Sequence, residues 1–207
     1  LRSNNPKSPF HFRPPSNGQI PSEMASLENE EGDIHEAMEE LLEPTPAILQ
    51  KFEQMETKNG GVLLNLSNLK LTFIPFDVKK FTSLKVLNLR SNKLTIFPAE
   101  LCSRLFELEE LNICNNEITY IPENINLLSN LRKLIISSNK IRELPMGIYS
   151  CPALQELRAD HNHLTSISGS IGDLHLLNTL VLSHNQIRQI PNRVGELKFL
   201  TKVDLSE

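Results

Sequence analysis

The amino-acid sequence predicts an α/β solenoid: a curved parallel β-sheet on the concave face, short 3₁₀ or single-turn helices on the convex face, and a helical cap at the N-terminal end. Three observations predict it. A pattern of the form Leu-x-x-Leu-x-Leu-x-x-Asn-x-Leu recurs with starts at 84, 108, 131, 154, 177 and 200, one step of 24 residues followed by steps of 23. A second pattern, an apolar residue followed by proline, recurs in the other half of the unit at Ile74-Pro75, Phe97-Pro98, Ile121-Pro122, Leu144-Pro145 and Ile190-Pro191. Leucine supplies 34 of the 207 residues while aromatics reach 5% and tryptophan is absent, so the core is aliphatic. Self-similarity at a fixed period of this size is the signature of stacked units, each too small to bury its own apolar face.

Three regions follow one another along the chain. Residues 1–32 hold Pro6, Pro9, Pro14, Pro15 and Pro21 among polar residues and read as a disordered tail. Phe10 and Phe12 near Ser8-Pro9 are read as part of that tail rather than as a linear motif. The charge is uneven: residues 1–21 carry Arg2, Lys7 and Arg13 and no acid, whereas residues 22–43 carry nine acids and no Lys or Arg, a run read as solvated. Residues 33–60 read as a helical segment. Asp33 and Glu36 form a capping box, Ile34, Met38, Leu41 and Leu42 share a face, and Pro44 ends the helix. Thr45 and Pro46 suit the start of a second helix over 45–58, with Ile48, Leu49, Phe52 and Met55 on one face and Asn59-Gly60 as the stop. Terminal repeats leave core leucines open unless something covers them, so this helix is assigned as the cap.

The repeats occupy residues 61–207, about six in number with the last one truncated. Five copies are nearly complete: Leu84, Leu87, Leu89, Asn92 and Leu94; Leu108, Leu111, Ile113, Asn116 and Ile118; Leu131, Leu134, Ile136, Asn139 and Ile141; Leu154, Leu157, Ala159, Asn162 and Leu164; Leu177, Leu180, Leu182, Asn185 and Ile187. A degenerate first copy keeps Leu64, Leu66 and Leu71 but has Leu69 in the asparagine position. A final copy has Leu200, Val203 and Leu205 and stops at Glu207, and further repeats are expected beyond it. Alternation at Leu-x-Leu puts both side chains on one face of a short strand. Proline fixes φ and lacks a donor, which favours a tight return over a long helix. Further columns, Val78, Leu101, Ile125, Ile148, Ile171, Val194 and then Phe81, Leu105, Leu128, Cys151, Leu174, Leu197, complete the buried set. Cys151 therefore reads as a small core hydrophobe.

These motifs resemble the leucine-rich repeat family, and the resemblance covers residues 61–207. It implies that Asn92, Asn116, Asn139, Asn162 and Asn185 point inward as a structural ladder, bonding backbone groups left open where the chain turns. Units of 23 residues with a Leu-x-x-Ile-Pro return and no cysteine caps are similar to the intracellular Ras-suppressor and Scribble-type repeats. That similarity implies a non-enzymatic, intracellular signalling scaffold or adaptor whose partner is a protein, a small GTPase or phosphatase among the candidates. The alternative is a targeting module of a larger enzyme, a ubiquitin ligase or kinase, with its catalytic part elsewhere in a longer chain. A third reading treats the stack as a spacer only.

Composition narrows the function classes. No run of 18 apolar residues occurs, so no membrane span is expected. The chain carries a net charge of −4, but the part beyond residue 43 is nearly neutral, so no nucleic-acid partner is expected. Cys102, Cys114 and Cys151 form no metal-binding or redox spacing and suggest free thiols in a reducing compartment, the cytoplasm or the nucleus. Asn65-Leu66-Ser67 is a formal glycosylation acceptor but falls in a strand and reads as a chance match. No phosphate-binding glycine loop or zinc-peptidase motif occurs, so no cofactor is expected, and the chain is expected to be monomeric.

Side chains between the buried leucines face the concave side in columns: Asn65, Asn88, Asn112, Ile135, Arg158, Val181, Asp204; then Ser67, Arg90, Cys114, Ser137, Asp160, Ser183, Ser206; then Asn68, Ser91, Asn115, Ser138, His161, His184. Mixed polarity with arginine anchors suits protein recognition, and Asn88, Arg90, Asn112, Arg158, Asp160, His161 and His184 are the expected contact residues. Asp160, His161, His184 and Ser183 suggest a hydrolytic triad, but neighbours along a strand point apart and no oxyanion hole is encoded, so catalysis is not expected. His161, His163 and His184 suggest zinc, but HxH alone is a weak signal and no metal site is expected. Cys114 is expected as an ordinary exposed thiol.

Overall fold

Each Leu-x-Leu copy folds into one short strand, and the strands stack in chain order into a single eight-stranded sheet. The computed structural model describes residues 46–53, 56–58 and 61–206. These fall in the compact unit Pro44–Glu207. The tail, the acidic run and the helix expected to open at Asp33 lie outside the described residues. Strand β1 (Glu56–Lys58) pairs antiparallel with β2 (Gly61–Asn65), and every later pairing is parallel: β3 (Leu84–Asn88), β4 (Glu110–Asn112), β5 (Lys133–Ile135), β6 (Glu156–Arg158), β7 (Thr179–Val181) and β8 (Lys202–Asp204). The register aligns equivalent repeat positions. Leu64, Leu87, Leu111, Leu134, Leu157, Leu180 and Val203 form one inward row. Asn65, Asn88, Asn112, Ile135, Arg158, Val181 and Asp204 form the adjacent outward row. The predicted leucine-rich-repeat solenoid is therefore present, with one level of the core per repeat.

The proline-marked half of each unit turns as expected. Pro75, Pro122 and Pro191 precede 3₁₀ helices at Phe76–Lys80, Glu123–Leu127 and Asn192–Glu196. Pro98 and Pro145 precede the short α-helices α2 (Ala99–Arg104) and α3 (Met146–Tyr149). Helix α2 sits in the 24-residue unit, where the extra residue of the Cys102-Ser103-Arg104 segment lengthens the return. Where proline gives way to Ser168, a 3₁₀ helix over Gly169–Asp173 still forms. Ser168 has an N–H that proline would lack, and the buried Tyr149 hydroxyl accepts it at 3.3 Å. The Ser168 hydroxyl in turn accepts from the Ser170 N–H at 3.2 Å, so two donors of that turn are satisfied locally.

The asparagine of each repeat is the polar spine of the core. Asn116 Nδ2 donates to the Ile113 carbonyl of its own repeat at 2.9 Å and to the Leu89 carbonyl of the repeat before at 3.1 Å. Its Oδ1 accepts from the Leu94 N–H at 3.1 Å. Asn139, Asn162 and Asn185 repeat this pattern, and Asn92 reaches both Leu69 and Leu71 N–H. Successive asparagines share a carbonyl: the Leu89 carbonyl accepts from Asn92 and from Asn116. Each amide thus ties two levels together and leaves no buried side-chain polar atom of the described residues without a partner. Leu69 replaces the asparagine in the first repeat, where no earlier repeat carbonyl has to be reached.

At the N-terminal end the expected helix over 45–58 is shorter. Helix α1 covers Pro46–Glu53, and residues 56–58 form β1 instead. The physical reason lies in the pairing of these residues with β2, in register from Glu56 opposite Leu63 to Lys58 opposite Gly61. The expected helix stop, Asn59-Gly60, itself lies outside the described residues. The antiparallel β1 then occupies the edge of β2 that would otherwise stand open. Ile48 of α1 is buried in the leucine core, and Phe52 meets Phe81 edge to face with ring centroids 5.3 Å apart.

Candidate partner-binding face

The outward rows of the sheet place the seven expected contact residues in two groups. Asn88 and Asn112 align with Asn65 on β2–β4, and Arg90 lies just beyond β3, exposed. Arg158 ends β6, Asp160 and His161 follow it, and His184 follows β7. Ile135 and Ser137 lie between the groups in the same rows.

Backbone geometry explains the rim. Asn68, Ser91, Asn115, Ser138, His161 and His184 all have φ between 53° and 60°, the left-handed region. The chain turns there while its N–H still continues the parallel ladder, as in Ser138 N–H to the Asp160 carbonyl at 2.8 Å. Because this conformation recurs in register, His161 and His184 stack with centroids 4.1 Å apart and planes 8° from parallel. Lone pairs of stacked imidazoles run side by side and do not converge on one ion, and no cluster of three His, Cys, Asp or Glu among the described residues could hold a metal.

Hydrogen bonding sorts the polar residues. Asp160 Oδ1 accepts from the Ser137 hydroxyl at 2.6 Å, and its Oδ2 lies 3.1 Å from His161 Nδ1. Ser183 donates to Asp204 at 3.1 Å, so it engages no histidine and the triad arrangement does not assemble. Asp204 is held below the usual carboxylate range, first by the Ser206 hydroxyl and N–H and further by Ser183 and His184. Ser137, Ser183 and Val181 were expected on the open face but are buried, the two hydroxyls being engaged with aspartates. Arg158 pairs with Glu156. Cys114 is only half-buried, yet burial raises its thiol pKa; Arg90 acts in the opposite direction and Asp160 with the burial.

The sequence reading undervalued the flanking charges. Lys85 meets Glu109 at 3.1 Å, Lys133 lies between Glu110 at 3.6 Å and Glu156 at 3.8 Å, and Arg132 approaches Glu109 at 3.8 Å. They line an open trough of about 280 Å³ along the β3–β7 edge. The signal was available: residues 23 or 24 apart in these columns alternate in sign. Most of the trough's charge is thereby satisfied internally.

Two family models, both described as leucine rich repeat, match residues 83–104 and 106–164. No curated protein matches the chain. Among solved structures, it is similar to a leucine-rich repeat protein of Leptospira interrogans at 34% identity and TM-score 0.67, covering 69% of this chain and 36% of that one. An internalin of Listeria monocytogenes matches at 28% identity and TM-score 0.59, covering 67% and 39%. The ectodomain of the Arabidopsis receptor kinase HAESA, crystallised with a peptide hormone, matches in fold at 24% identity and TM-score 0.69, covering 82% and 32%. The chain thus spans less than two-fifths of the length of each of these structures.

These likenesses correct three expectations. They run to a receptor ectodomain and an internalin, not to the intracellular Ras-suppressor or Scribble type, which overturns that assignment and with it the cytoplasmic or nuclear location and the intracellular signalling role. Nor do the free thiols mark a reducing compartment. Cys102 and Cys151 are buried in the apolar core and their pKa values are pushed up to about 12, so they are inert packing groups in either redox environment. What the chain shares with these structures is the leucine-rich-repeat fold, with its parallel sheet open on one face.

Proposed function

We propose that this leucine-rich-repeat array is a recognition module that takes one protein partner across its concave face, with Asn88, Arg90, Asn112, Arg158, Asp160, His161 and His184 as the contact residues. The observation that carries this reading is the division of labour within each strand. Inward leucines and ladder asparagines account for the fold, while the outward row, Ile135 and the buried Val181 aside, holds polar side chains that the core does not use. An open sheet face encloses no small ligand but offers area and anchors to a protein. A small GTPase or phosphatase was implied only by the intracellular resemblance, and the partner is better read from the face itself. A targeting role for an enzymatic domain elsewhere in a longer chain would use the same surface.

A photo-crosslinking residue at exposed positions tests the reading. Placed at Asn115 on the concave rim it should capture the partner, and placed at Leu127 on the convex side it should not. The double substitution Arg90→Ala with Arg158→Ala should then weaken that partner by about tenfold or more, since charged anchors at interfaces are worth about 2 kcal/mol or more each. The urea midpoint should stay unchanged. Equal capture from both faces would reject the concave surface.

A further inference from the structure

We infer that the concave surface of β2–β4 seats a carboxylate carried by an extended segment of the protein partner. This rests on the reading of the concave face as the partner surface and adds the chemistry of what binds there.

The inference begins with three amides. Asn65, Asn88 and Asn112 stand in register on adjacent strands. Each Oδ1 accepts the backbone N–H two residues on, from Ser67, Arg90 and Cys114, each at 3.1 Å. A backbone N–H can only donate, so the bond determines which end of each amide turns inward. The oxygen is used, and the NH₂ end is left for the open side. Among the described residues, none of these three NH₂ groups has a hydrogen-bond acceptor. Parallel strands lie about 4.8 Å apart, so the groups form a row of donors at that spacing.

Charge strengthens the same preference. The Arg90 guanidinium is exposed beside this row and belongs to no ion pair among the described residues. Glu110 is the only acid within β2–β4, and Lys133 holds it at 3.6 Å. The neighbouring rim is uncharged, with Asn115 donating to the Ser91 hydroxyl at 3.0 Å. At the opposite end Asp160 and Asp204 dominate, and Arg158 is neutralised by Glu156. The face is therefore polarised, rich in donors over the first repeats and in acceptors over the last. A carboxylate is attracted to one end and repelled from the other, which also orients the partner. A single guanidinium with neutral amides matches one planar carboxylate, which takes two parallel bonds from arginine. It does not match a polyphosphate backbone, which needs many cations.

The test follows the side-chain NH₂ resonances of Asn65, Asn88 and Asn112 in ¹⁵N-labelled protein. The probes are two capped peptides, acetyl-Gly-Ser-Glu-Ser-Gly-amide and its glutamine counterpart. The glutamate peptide should shift these resonances with at least tenfold lower Kd than the glutamine peptide, and less so at high salt. Asn88→Asp keeps an oxygen for the Arg90 N–H and replaces the NH₂ donor with a negative oxygen, so the fold should persist while the glutamate preference is lost. Arg90→Ala should also remove it, and Leu127→Ala on the convex side should not. Equal shifts from the two peptides, no shift from either, or shifts confined to β6–β8 would overturn the inference. A null result here leaves the crosslinking reading standing, whereas a glutamate response without crosslinking keeps the carboxylate seat and removes the partner reading.

Discussion

Asn139 shows how much a single side chain contributes. Its NH₂ donates to the Ile113 and Ile136 carbonyls at 3.0 Å, and its oxygen accepts from the Ile118 N–H at 3.0 Å, all in the core. Alanine would orphan the buried Ile118 N–H and strip one bond each from the Ile113 and Ile136 carbonyls, which would keep only Asn116 and Asn162. We expect Asn139→Ala to lower stability by about 3 kcal/mol in urea denaturation, because each orphaned buried group costs about 1–3 kcal/mol. A loss under 1 kcal/mol would mean that the ladder is decorative. Left-handed residues give the opposite sign. Ser138 has φ of 54° and is exposed, so Ser138→Gly should raise stability by up to about 1 kcal/mol by relieving that conformation. The ladder asparagines were legible because their spacing is strict. The left-handed positions were not, since serine and histidine carry no glycine signature there.

Convex returns depend on close contacts between neighbouring elements. Gly147 opens α3 against the preceding repeat, and a Cβ there would lie 2.0 Å from the Glu123 carbonyl oxygen. The Glu123 carboxylate also accepts the Gly147 N–H at 2.8 Å. Gly147→Ala should therefore cost about 1–3 kcal/mol through forced separation of the two returns. Thermal unfolding would measure it, with Gly195→Ala as the comparison, since nothing lies within 4 Å of a Cβ at that site. Ser168 offers a coupled test. Removing the acceptor by Tyr149→Phe should cost about 1 kcal/mol in the native background. The cost should shrink when Ser168→Pro removes the donor, because φ at this position, −67°, already suits proline. The missing proline was visible in the sequence, whereas the compensating tyrosine from the repeat before was not. Likewise Asn59-Gly60 was legible as a break. That residues 56–58 pair as a strand and do not extend the helix depended on the edge of β2, which only the assembled sheet presents.

Across the whole stack, stability is a sum of repeat and interface contributions, so protection should vary along it. Leu111, Leu134 and Leu157 at the centre are fully buried, while Val203 and Leu205 of the last coil are more than two-fifths exposed and Asn185 is only half-buried. Amide exchange should be slowest in β4–β6 and fastest in β8; uniform protection would contradict an additive stack. The buried thiols offer a second probe. With pKa values near 12 by burial, Cys102 and Cys151 should resist alkylation at pH 8 until the protein unfolds, while the half-buried Cys114 should react first. Simultaneous labelling of all three would show that the core opens as one unit.

Periodicity alone determined the solenoid, the strand positions, the inward leucine rows and the asparagine spine, because a unit that cannot bury its own apolar face must stack and stacking enforces register. The outward columns were readable for the same reason: alternation along a strand assigns each residue a side. Tertiary structure decided what those columns do. It buried Ser137 and Ser183 in hydrogen bonds to aspartates, stacked His161 on His184, paired Arg158 with Glu156 and left Arg90 open beside three outward amides. The serine and histidine outcomes depend on contacts between residues 21 to 23 positions apart, whose side chains meet only after the coils are in place.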